Sequence, residues 1–278
     1  MAVNVKIVIT ISTTYDRLLS ISPELFPKSS SIGYVISCQG AREKPSQIYK
    51  EAGERIFGGN AEVFLLEGYG LSRNRNNAIS NALKLESDYI YVADDDIEIK
   101  ESSLLAAAVE CLNSSIDIGI AKVGQIGSSE LFKNYRNRDA RSKFGLAFSA
   151  SSVELLIRTN FLKKNQIEFD ERFGLGSIYP SGEEFIFILD SIRAGATVKA
   201  VDVVVCDHEA ISSGKDFYSD EKLIVAKGAM MKRGTKSIVV SLILGVLFSL
   251  KKHREYKQTI GFFKFCFNLS KGILKIGH

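Results

Sequence analysis

Three adjacent aspartates, Asp94, Asp95 and Asp96, follow the apolar residues 89–93 directly. Ionised carboxylates repel one another, so three in a row need a cation or hydrogen-bond donors nearby. Mg²⁺ and Mn²⁺ prefer carboxylate oxygens and also bind phosphates. Alternate residues of an extended chain point the same way, so Asp94 and Asp96 are expected to face one pocket. The pattern predicts a divalent-metal site; a solvated loop with capping acids is the alternative.

Two further acids, Glu183 and Glu184, follow Gly182 and begin an apolar-periodic segment over residues 183–194. A carboxylate within hydrogen-bond reach of a hydroxyl can remove its proton, which makes these acids candidates for a general base. Two acids in the first turn of a helix also interact favourably with its dipole. Both interpretations stay open at this point.

His208 follows the apolar residues 198–206, and it is one of three histidines in the chain. A neutral imidazole at a strand end could complete the coordination of a metal, although a lone histidine can equally be a hydrogen-bonded polar residue. Residues 212–215, Ser-Ser-Gly-Lys, lack the upstream glycines of a Walker motif. We expect Lys215 to cover a diphosphate when a mobile loop closes.

The surrounding sequence must place these residues on secondary structure. Short β-branched runs predict strands at 5–11, 32–38, 62–66, 89–93 and 198–206, and periodic apolar spacing predicts helices at 72–85, 102–111 and 183–194. Residues 119–169 are less regular, with a possible strand at 150–157 and a short helix at 160–164. This alternation predicts an α/β fold with a mostly parallel central sheet. Ligands of such sheets bind beyond the carboxyl ends of the strands, where residues 12–14 and 94–96 lie.

The strand that ends in three aspartates, together with residues 70–78, Gly-Leu-Ser-Arg-Asn-Arg-Asn-Asn-Ala, resembles family 2 glycosyltransferases of the bacterial cell-surface polysaccharide type. The resemblance implies the GT-A fold, a Rossmann-like domain of nucleotide-diphospho-sugar transferases. In the family a triple-aspartate "DxD" motif holds the metal on the donor diphosphate. The resemblance therefore implies Asp96 as the principal metal ligand, with Asp94 and His208 beside it. It implies these donor-binding residues: Thr13, Arg17, Arg73, Asn74, Asn77, Asp94 and Asp95.

By the same resemblance, Glu184 occupies the position of the catalytic base, where the family usually has Asp. Glu is one methylene longer, so either the acceptor lies slightly further away or Glu183 has this role. Residues 173–176, Phe-Gly-Leu-Gly, resemble the loop that lines the acceptor side of these enzymes. This similarity implies acceptor-side positions for Phe173, Gly174 and Gly176.

The implied reaction is an inverting, Mn²⁺- or Mg²⁺-dependent transfer of a sugar from a nucleotide-sugar. The resemblance favours a UDP-sugar, because this is the usual donor in the family. The acceptor would be a hydroxyl of a glycan or lipid-linked acceptor in surface polysaccharide synthesis, such as O-antigen or capsule. One alternative is a sugar-nucleotidyltransferase, which normally carries a basic, Gly-rich loop where this chain has Ser-Thr-Thr-Tyr-Asp at 12–16. The other is a non-catalytic, peripheral membrane scaffold of the same fold.

The C-terminal segment differs from the rest in charge. From residue 222 onward there are 12 Lys/Arg and one acid, whereas the first 221 residues have 24 Lys/Arg and 31 acids. The apolar stretch 238–250 is shorter than the ~20 residues that span a bilayer. Basic residues beside apolar helical faces are typical of helices in an anionic membrane surface. We therefore predict a catalytic domain at 1–216 and an amphipathic helical tail at 217–278, which binds a membrane or a second subunit.

Other features indicate the compartment and exclude some partners. The four cysteines are far apart and form neither a zinc pattern nor a disulfide framework, which fits a reducing compartment. The N-terminal residues lack the basic and long apolar regions of a secretory signal. No nucleic-acid-binding motif accompanies the basic tail, so no nucleic-acid partner is expected. We expect a cytoplasmic protein that is peripheral on the inner face of the cell membrane.

Overall fold

The computed structural model describes residues 5–41, 43–138, 141–209, 218 and 220–276. Within these segments, eight strands form one sheet. The strands are β1 (Ile7–Thr14), β2 (Ile32–Gly40), β3 (Ala61–Glu67), β4 (Tyr89–Ala93), β5 (Ile97–Ile99), β6 (Ile118–Gln125), β7 (Leu155–Arg158) and β8 (Val198–His208). The α-helices are α1 (Tyr15–Ser20), α2 (Ser46–Phe57), α3 (Leu71–Ala82), α4 (Glu101–Asn113), α5 (Lys143–Ser149), α6 (Thr159–Asn165), α7 (Glu183–Arg193), α8 (Glu221–Thr235), α9 (Ile238–Tyr256) and α10 (Phe262–Lys275).

The sheet has the strand order β3-β2-β1-β4-β7-β6-β8-β5. Strands β1 to β4 pair in parallel, β6 pairs in parallel with β8, and only β7 and β5 run in the opposite direction within the described sheet. Strands covered by helices on both faces are mostly apolar, and β1 and β4 are almost entirely buried. The predicted α/β fold with a mostly parallel central sheet is confirmed.

The register of the sheet brings separate polar segments to one edge. Ile11 of β1 pairs with Ala93, the last residue of β4, so the continuation of β1 through Thr13 lies beside the three aspartates. On the other side, β5 pairs with β8, and Ile97 is opposite His208. The carboxyl ends of β1, β4 and β8 therefore meet at one place.

The middle of the chain contains a strand that the sequence pattern does not predict. Strand β6 lies inside the sheet, yet two glycines and Lys122 interrupt its apolar run. Gly119 is required there because a Cβ would lie 2.5 Å from the sulfur of Cys111. The strand expected at 150–157 is only four residues long, because Ser151 and Glu154 form a capping box on a short 3₁₀ turn before it.

The tail folds as three helices that pack on the body of the protein. Helices α8 and α10 cross closely at Gly228 and Gly272, where an added Cβ would overlap the backbone of the other helix. Arg233 of α8 binds Asp190 of α7 at 2.7 Å and Asp170 at 2.8 Å. The proposed domain boundary after residue 216 lies outside the described residues, and the division into two domains stays a prediction.

Helix α9 presents small residues inward and large apolar residues outward. Its buried positions are mainly Ser241, Gly245 and Ser249, four residues apart. Its large exposed side chains are Ile238, Val239, Val240, Leu242, Ile243, Val246, Leu247 and Leu250, which we call the α9 outer face. Phe263 and Phe267 of α10 are 87% and 67% exposed. Among the helices of the described segments, none is long and apolar enough to cross a membrane.

Candidate active site

A cleft of about 290 Å³ lies beyond the carboxyl ends of the central strands. Its walls bring together residues that are far apart in the sequence: Ser12, Thr13, Thr14, Arg17, Gln39, Leu71, Asp94, Asp95, Asp96, Leu175 and His208. A larger cavity of about 840 Å³ near Lys232 lies away from these strand ends; two acids line it, Glu168 and Asp190, and Asp190 is paired with arginines. The chemistry of the smaller cleft makes it the candidate active site.

Asp95 is the buried member of the three aspartates. Arg17 donates from Nε to Asp95 Oδ2 at 2.9 Å and contacts Oδ1 through Nη2, while the Thr13 hydroxyl donates to Asp95 as well. Burial raises the pKa of Asp95, although Thr13 and Arg17 act in the opposite direction. Both carboxylate oxygens of Asp95 are therefore engaged by protein donors. Arg17 also binds Asp96 Oδ2 at 2.8 Å, so it bridges two of the aspartates.

Asp96 and His208 have the atoms that best fit a metal ion. Asp96 Oδ1 is buried without a hydrogen-bond partner among the described residues, and it lies 3.5 Å from His208 Nε2. His208 Nδ1 lies 2.9 Å from the Glu209 carbonyl oxygen. A proton on Nδ1 satisfies that carbonyl and leaves the lone pair of Nε2 facing Asp96. Two facing lone pairs need a cation or a proton between them.

The described residues alone do not complete a metal cage. Asp94 directs Oδ1 to Arg75 at 3.2 Å, and no group of three or more His, Cys, Asp or Glu side chains with metal-site geometry is present in the described segments. An ion held by Asp96 and His208 would take its other ligands from phosphate oxygens and water. The donor set fits a hard divalent cation that binds together with a diphosphate.

A buried arginine, Arg75, joins the aspartates to the two glutamates. Its guanidinium is 3% exposed and binds Glu183 at 2.9 Å, Asp94 at 3.2 Å and Glu184 at 3.4 Å. It also donates to the Ser152 hydroxyl at 2.6 Å. Burial alone would lower the pKa of Arg75, but the three carboxylates outweigh it and the net direction is upward. Arg75 therefore stays charged in the interior.

The two glutamates at the start of α7 have different surroundings. The Glu183 side chain is 6% exposed and has the shorter contact with Arg75, whereas the Glu184 side chain is 18% exposed. Burial and the neighbouring Glu183 raise the pKa of Glu184 to about 7, against the opposing effect of Arg75. A carboxylate with such a pKa can accept a proton near neutral pH.

Three of the predicted donor-binding residues make structural contacts on α3. Arg73 is exposed and Asn74 is buried. Their side-chain hydrogen bonds are Arg73 Nη1 to the Glu67 carbonyl at 2.7 Å, Asn74 Nδ2 to the Thr13 carbonyl at 3.0 Å, and Asn77 Nδ2 to the Ser37 hydroxyl at 2.7 Å. These bonds brace the ends of β1, β2 and β3 against α3. Their role toward a donor stays a prediction.

The predicted acceptor-side loop approaches the cleft through Leu175, which is not one of its predicted acceptor-side positions. Phe173 is fully buried and stacks on Tyr179 with ring centroids 4.9 Å apart. Gly174 and Gly176 have φ values of 100° and 79°, which favour glycine and turn the loop back on itself. Between them, Leu175 is 66% exposed and lines the cleft.

Sequence reasoning also missed Arg75 and Ser152 as members of the site. Arg75 shares the inner face of α3 with Ala78, Ile79 and Ala82. A charged residue within such an apolar face is a detectable sign of a buried ion pair. Ser152 lies on the 3₁₀ turn and has no comparable signal in its neighbourhood. Lys215 lies outside the described residues.

No family model matches this sequence, and no curated protein matches it significantly. Among solved structures, S. aureus TarS 1-349 in complex with UDP is 16% identical with a TM-score of 0.59, over 92% of this chain and 75% of that chain. The same fragment with UDP-GlcNAc is 16% identical with a TM-score of 0.55, over 94% and 81%. The mannosyltransferase PcManGT from Pyrobaculum calidifontis, in complex with GDP-Man and Mn²⁺, is 10% identical with a TM-score of 0.52, over 96% and 74%. The chain has the GT-A fold of these glycosyltransferases, as predicted.

Replacing Arg75 by Met removes the counter-charge that its three carboxylate partners share. Removing one partner of a buried ion pair typically costs about 3–5 kcal/mol, and we expect a loss of this size in urea unfolding at pH 8. Without Arg75, the pKa of Glu184 in the folded protein rises further above its value in the unfolded chain. The free energy of unfolding therefore falls as the pH rises through the folded-state pKa. The loss is therefore smaller at pH 5.

The matched control is Arg55→Met, at an exposed position on α2. A surface change of this kind is expected to alter stability by no more than about 0.5 kcal/mol. Equal, small losses for both variants would contradict the assignment of Arg75 as the buried link between the acids.

Proposed function

We propose that this protein is a metal-dependent, inverting glycosyltransferase that transfers a sugar from a nucleotide-sugar to a hydroxyl of a glycan or lipid-linked acceptor. The observation that carries the proposal is the facing pair of Asp96 Oδ1 and His208 Nε2 at the strand ends of a GT-A fold. Glu184 lies on the same ion-pair network, because Arg75 contacts both Asp94 and Glu184. A metal-binding pair and a titratable acid are the two chemical parts that this reaction needs.

The donor proposal rests on the cleft and on the similar structures. TarS was solved with UDP and with UDP-GlcNAc, and PcManGT with GDP-Man and Mn²⁺. In this chain Asp96 and His208 would hold Mn²⁺ or Mg²⁺, which supplies charge neutralisation for the diphosphate leaving group when bound. Arg17, which is itself held by Asp95, binds Asp96 Oδ2 and would orient Asp96 toward the diphosphate. We propose a UDP-sugar because the TarS complexes contain uridine nucleotides.

Glu184 is the base in this proposal. It accepts the proton of the acceptor hydroxyl while the hydroxyl oxygen bonds to the anomeric carbon and the bond to the diphosphate oxygen breaks. Attack from the face opposite the leaving group inverts the configuration of that carbon. Glu183 serves instead to hold Arg75, since it is the more buried acid and makes the shorter contact.

Asp96→Asn tests the metal and the donor together. Wild-type protein is expected to be stabilised by UDP plus Mn²⁺ in thermal unfolding, by about 2.7 kcal/mol at a ligand concentration 100 times Kd. EDTA should abolish the metal-dependent part of this gain, and Asp96→Asn should lose it. The matched control is Glu98→Gln, an exposed acid on the neighbouring strand β5, which should keep the full gain.

Full donor stabilisation of the wild type in EDTA would contradict metal dependence. A non-catalytic scaffold would show no donor stabilisation at all. A sugar-nucleotidyltransferase would release pyrophosphate from a nucleoside triphosphate and a sugar phosphate. A sugar-nucleotidyltransferase normally has a Gly-rich loop after its first strand. Here α1 begins directly after β1, at Tyr15 with Thr14 as its N-cap, and takes the place of that loop.

Glu184→Gln tests the base. We expect the transfer rate to fall by about 10²–10⁴-fold, the usual contribution of general base catalysis, while stabilisation by UDP plus Mn²⁺ is retained. The wild-type rate should rise as the pH rises through about 7, because the carboxylate accepts a proton only when it is ionised. Rate measurements between pH 5.5 and 8.5, with ~0.5-unit steps, check both points. If Glu183→Gln removed this pH dependence and Glu184→Gln kept it, Glu183 would be the base.

We propose further that the protein is cytoplasmic and peripheral on the inner face of the cell membrane, where it acts in surface polysaccharide synthesis such as that of O-antigen or capsule. The α9 outer face and the exposed phenylalanines of α10 present large apolar side chains to the surface, on a segment with 12 basic residues and one acid. Apolar insertion combined with attraction to anionic headgroups suits a membrane interface. A homodimer that buries the same face is the rival arrangement.

Sedimentation with lipid vesicles distinguishes these two arrangements. We expect binding to phosphatidylglycerol vesicles that weakens with added salt, and at least about tenfold weaker binding of an Ile243→Glu, Val246→Glu variant, because charges oppose insertion. The control is Ile48→Glu, an exposed apolar residue on α2. Absence of vesicle binding, together with a dimer in analytical ultracentrifugation that the double variant dissociates, would favour the homodimer.

A further inference from the structure

The cavity of about 840 Å³ lies at the C-terminal ends of α6, α7, α8 and α10. Its volume is within the range of small-molecule sites, roughly 300–1,000 Å³. Two acids line it, Glu168 and Asp190. Five basic residues line it as well: Arg172, Arg193, Lys232, Arg233 and Lys236. The excess of positive charge favours an anionic ligand, and no step of the proposed glycosyl transfer uses this cavity.

The three arginines of the cavity share two carboxylates. Arg233 bridges them, at 2.8 Å from Asp170 and 2.7 Å from Asp190. Arg172 binds Asp170 at 2.8 Å. Arg193 binds Asp190, also at 2.8 Å. Three guanidinium charges therefore face two carboxylate charges, and the ion pairs hold the guanidinium groups in place.

Lys232 and Lys236 are the cations of the cavity whose side chains have no hydrogen bond or ion pair with another described residue. Lys232 is half-buried and Lys236 is exposed. Glu168, the other acid of the lining, is exposed and offsets one of the two charges. An ammonium group binds phosphate as a compact charge. Two such groups in one cavity, beside paired guanidinium groups, suit a phosphate.

The helix ends offer another reason for basic residues at this place. The last carbonyl groups of a helix carry a partial negative charge, which Lys and Arg side chains stabilise. This effect accounts for Arg193 in the last turn of α7 and for Arg233 in the last turn of α8. It requires no ligand, so a binding measurement distinguishes the two explanations of the lysines.

Lys236 connects this cavity with the α9 outer face. Helix α8 ends at Thr235 and α9 begins at Ile238, so Lys236 and Ser237 form the whole connection between them. Consecutive Cα atoms are about 3.8 Å apart, which places the Cα atom of Ile238 within about 7.6 Å of that of Lys236. Ile238 and Val239 are 43% and 62% exposed and begin the α9 outer face. A phosphate bound at Lys236 therefore lies beside a surface that suits hydrocarbon.

We propose that this cavity binds the phosphate of an anionic lipid headgroup, whose hydrocarbon chains lie along the first turn of α9. The assignment rests on the membrane contact that is part of the proposed function. Lys232 and Lys236 bind the phosphate, and the paired arginines add positive charge to the cavity. A site of this kind gives the tail a preference for a lipid phosphate that exceeds the attraction of its net charge to an anionic surface.

Calorimetric titration with a short-chain lipid tests the site without a membrane. With dihexanoylphosphatidic acid below its micelle concentration, we expect saturable binding of one lipid per protein molecule. Inorganic phosphate and glycerol 3-phosphate carry the charge without the chains and should bind at least about tenfold more weakly. Dihexanoylphosphatidylcholine carries the chains with a neutral headgroup and should also bind at least about tenfold more weakly.

Two double variants with the same change of charge distinguish the cavity from the tail as a whole. The variant Lys232→Gln, Lys236→Gln removes both ammonium groups and should weaken binding of dihexanoylphosphatidic acid at least about tenfold. The matched control is Lys251→Gln, Lys257→Gln, two exposed lysines toward the other end of α9, which should change this affinity less than about twofold. Lys236→Gln alone, at an exposed position, should weaken binding at least about threefold and keeps the test decisive if the first double variant does not fold.

Three results would overturn the cavity assignment alone. The first is wild-type protein that binds phosphatidylglycerol vesicles but not dihexanoylphosphatidic acid. The second is equal affinity for inorganic phosphate and for the lipid, because the site would then take free phosphate. The third is an equal effect of the two double variants, which would assign binding to net charge and leave the cavity lysines to stabilise helix ends.

Failure of the proposed function gives different results in the same set of proteins. Wild-type protein that does not sediment with phosphatidylglycerol vesicles would remove the membrane contact, and the lipid assignment with it. Stabilisation by UDP plus Mn²⁺ should be the same in the wild type and in both double variants, because the cavity and the strand-end cleft share no lining residue. Its absence from the wild type would overturn the donor proposal and leave the lipid measurement unaffected.

Discussion

The position of Arg75 constrains the rest of the candidate site. A buried guanidinium requires negative partners, and buried carboxylates that approach one another require a cation. In this fold the guanidinium on α3 meets Asp94 after β4, Glu183 and Glu184 at the start of α7, and Ser152 on the 3₁₀ turn. Elements from distant parts of the chain are therefore held at a fixed separation by one side chain. Loss of the guanidinium charge would leave the carboxylates uncompensated in the interior, and loss of the carboxylate charges would leave the guanidinium uncompensated.

The contacts in the folded chain also distinguish five acids that look alike in the sequence. Asp95 is held by Arg17 and Thr13, while Asp94 and Glu183 contact Arg75. Asp96 keeps one oxygen without a protein partner in the described segments, and Glu184 is the glutamate with more exposure and a raised pKa. In our account, these two acids carry the chemistry: Asp96 toward a metal ion and Glu184 toward a proton.

The sequence predicts the parts of this site that depend on local pattern. An apolar strand ending in three aspartates identifies the carboxyl edge of the sheet, and the sheet register then brings Thr13, Asp95 and Arg17 together. Pattern does not identify the partner of each charge, because Arg75 meets Asp94 and Glu183 only in the folded chain. Strand β6 escapes prediction for a similar reason, since its glycines fit their neighbours across the sheet and break the apolar run. The inward orientation of Phe173 likewise follows from packing on Tyr179.

The most direct measurement is the affinity for Mn²⁺ with and without UDP, followed by the electron paramagnetic resonance signal of free Mn²⁺. Because Asp96 and His208 supply only part of a coordination shell within the described residues, the account predicts weak binding of Mn²⁺ alone. Binding should become at least about tenfold tighter when UDP provides phosphate oxygens, and Asp96→Asn should abolish this increase. Tight Mn²⁺ binding that is independent of UDP, or an increase that survives in Asp96→Asn, would contradict the account.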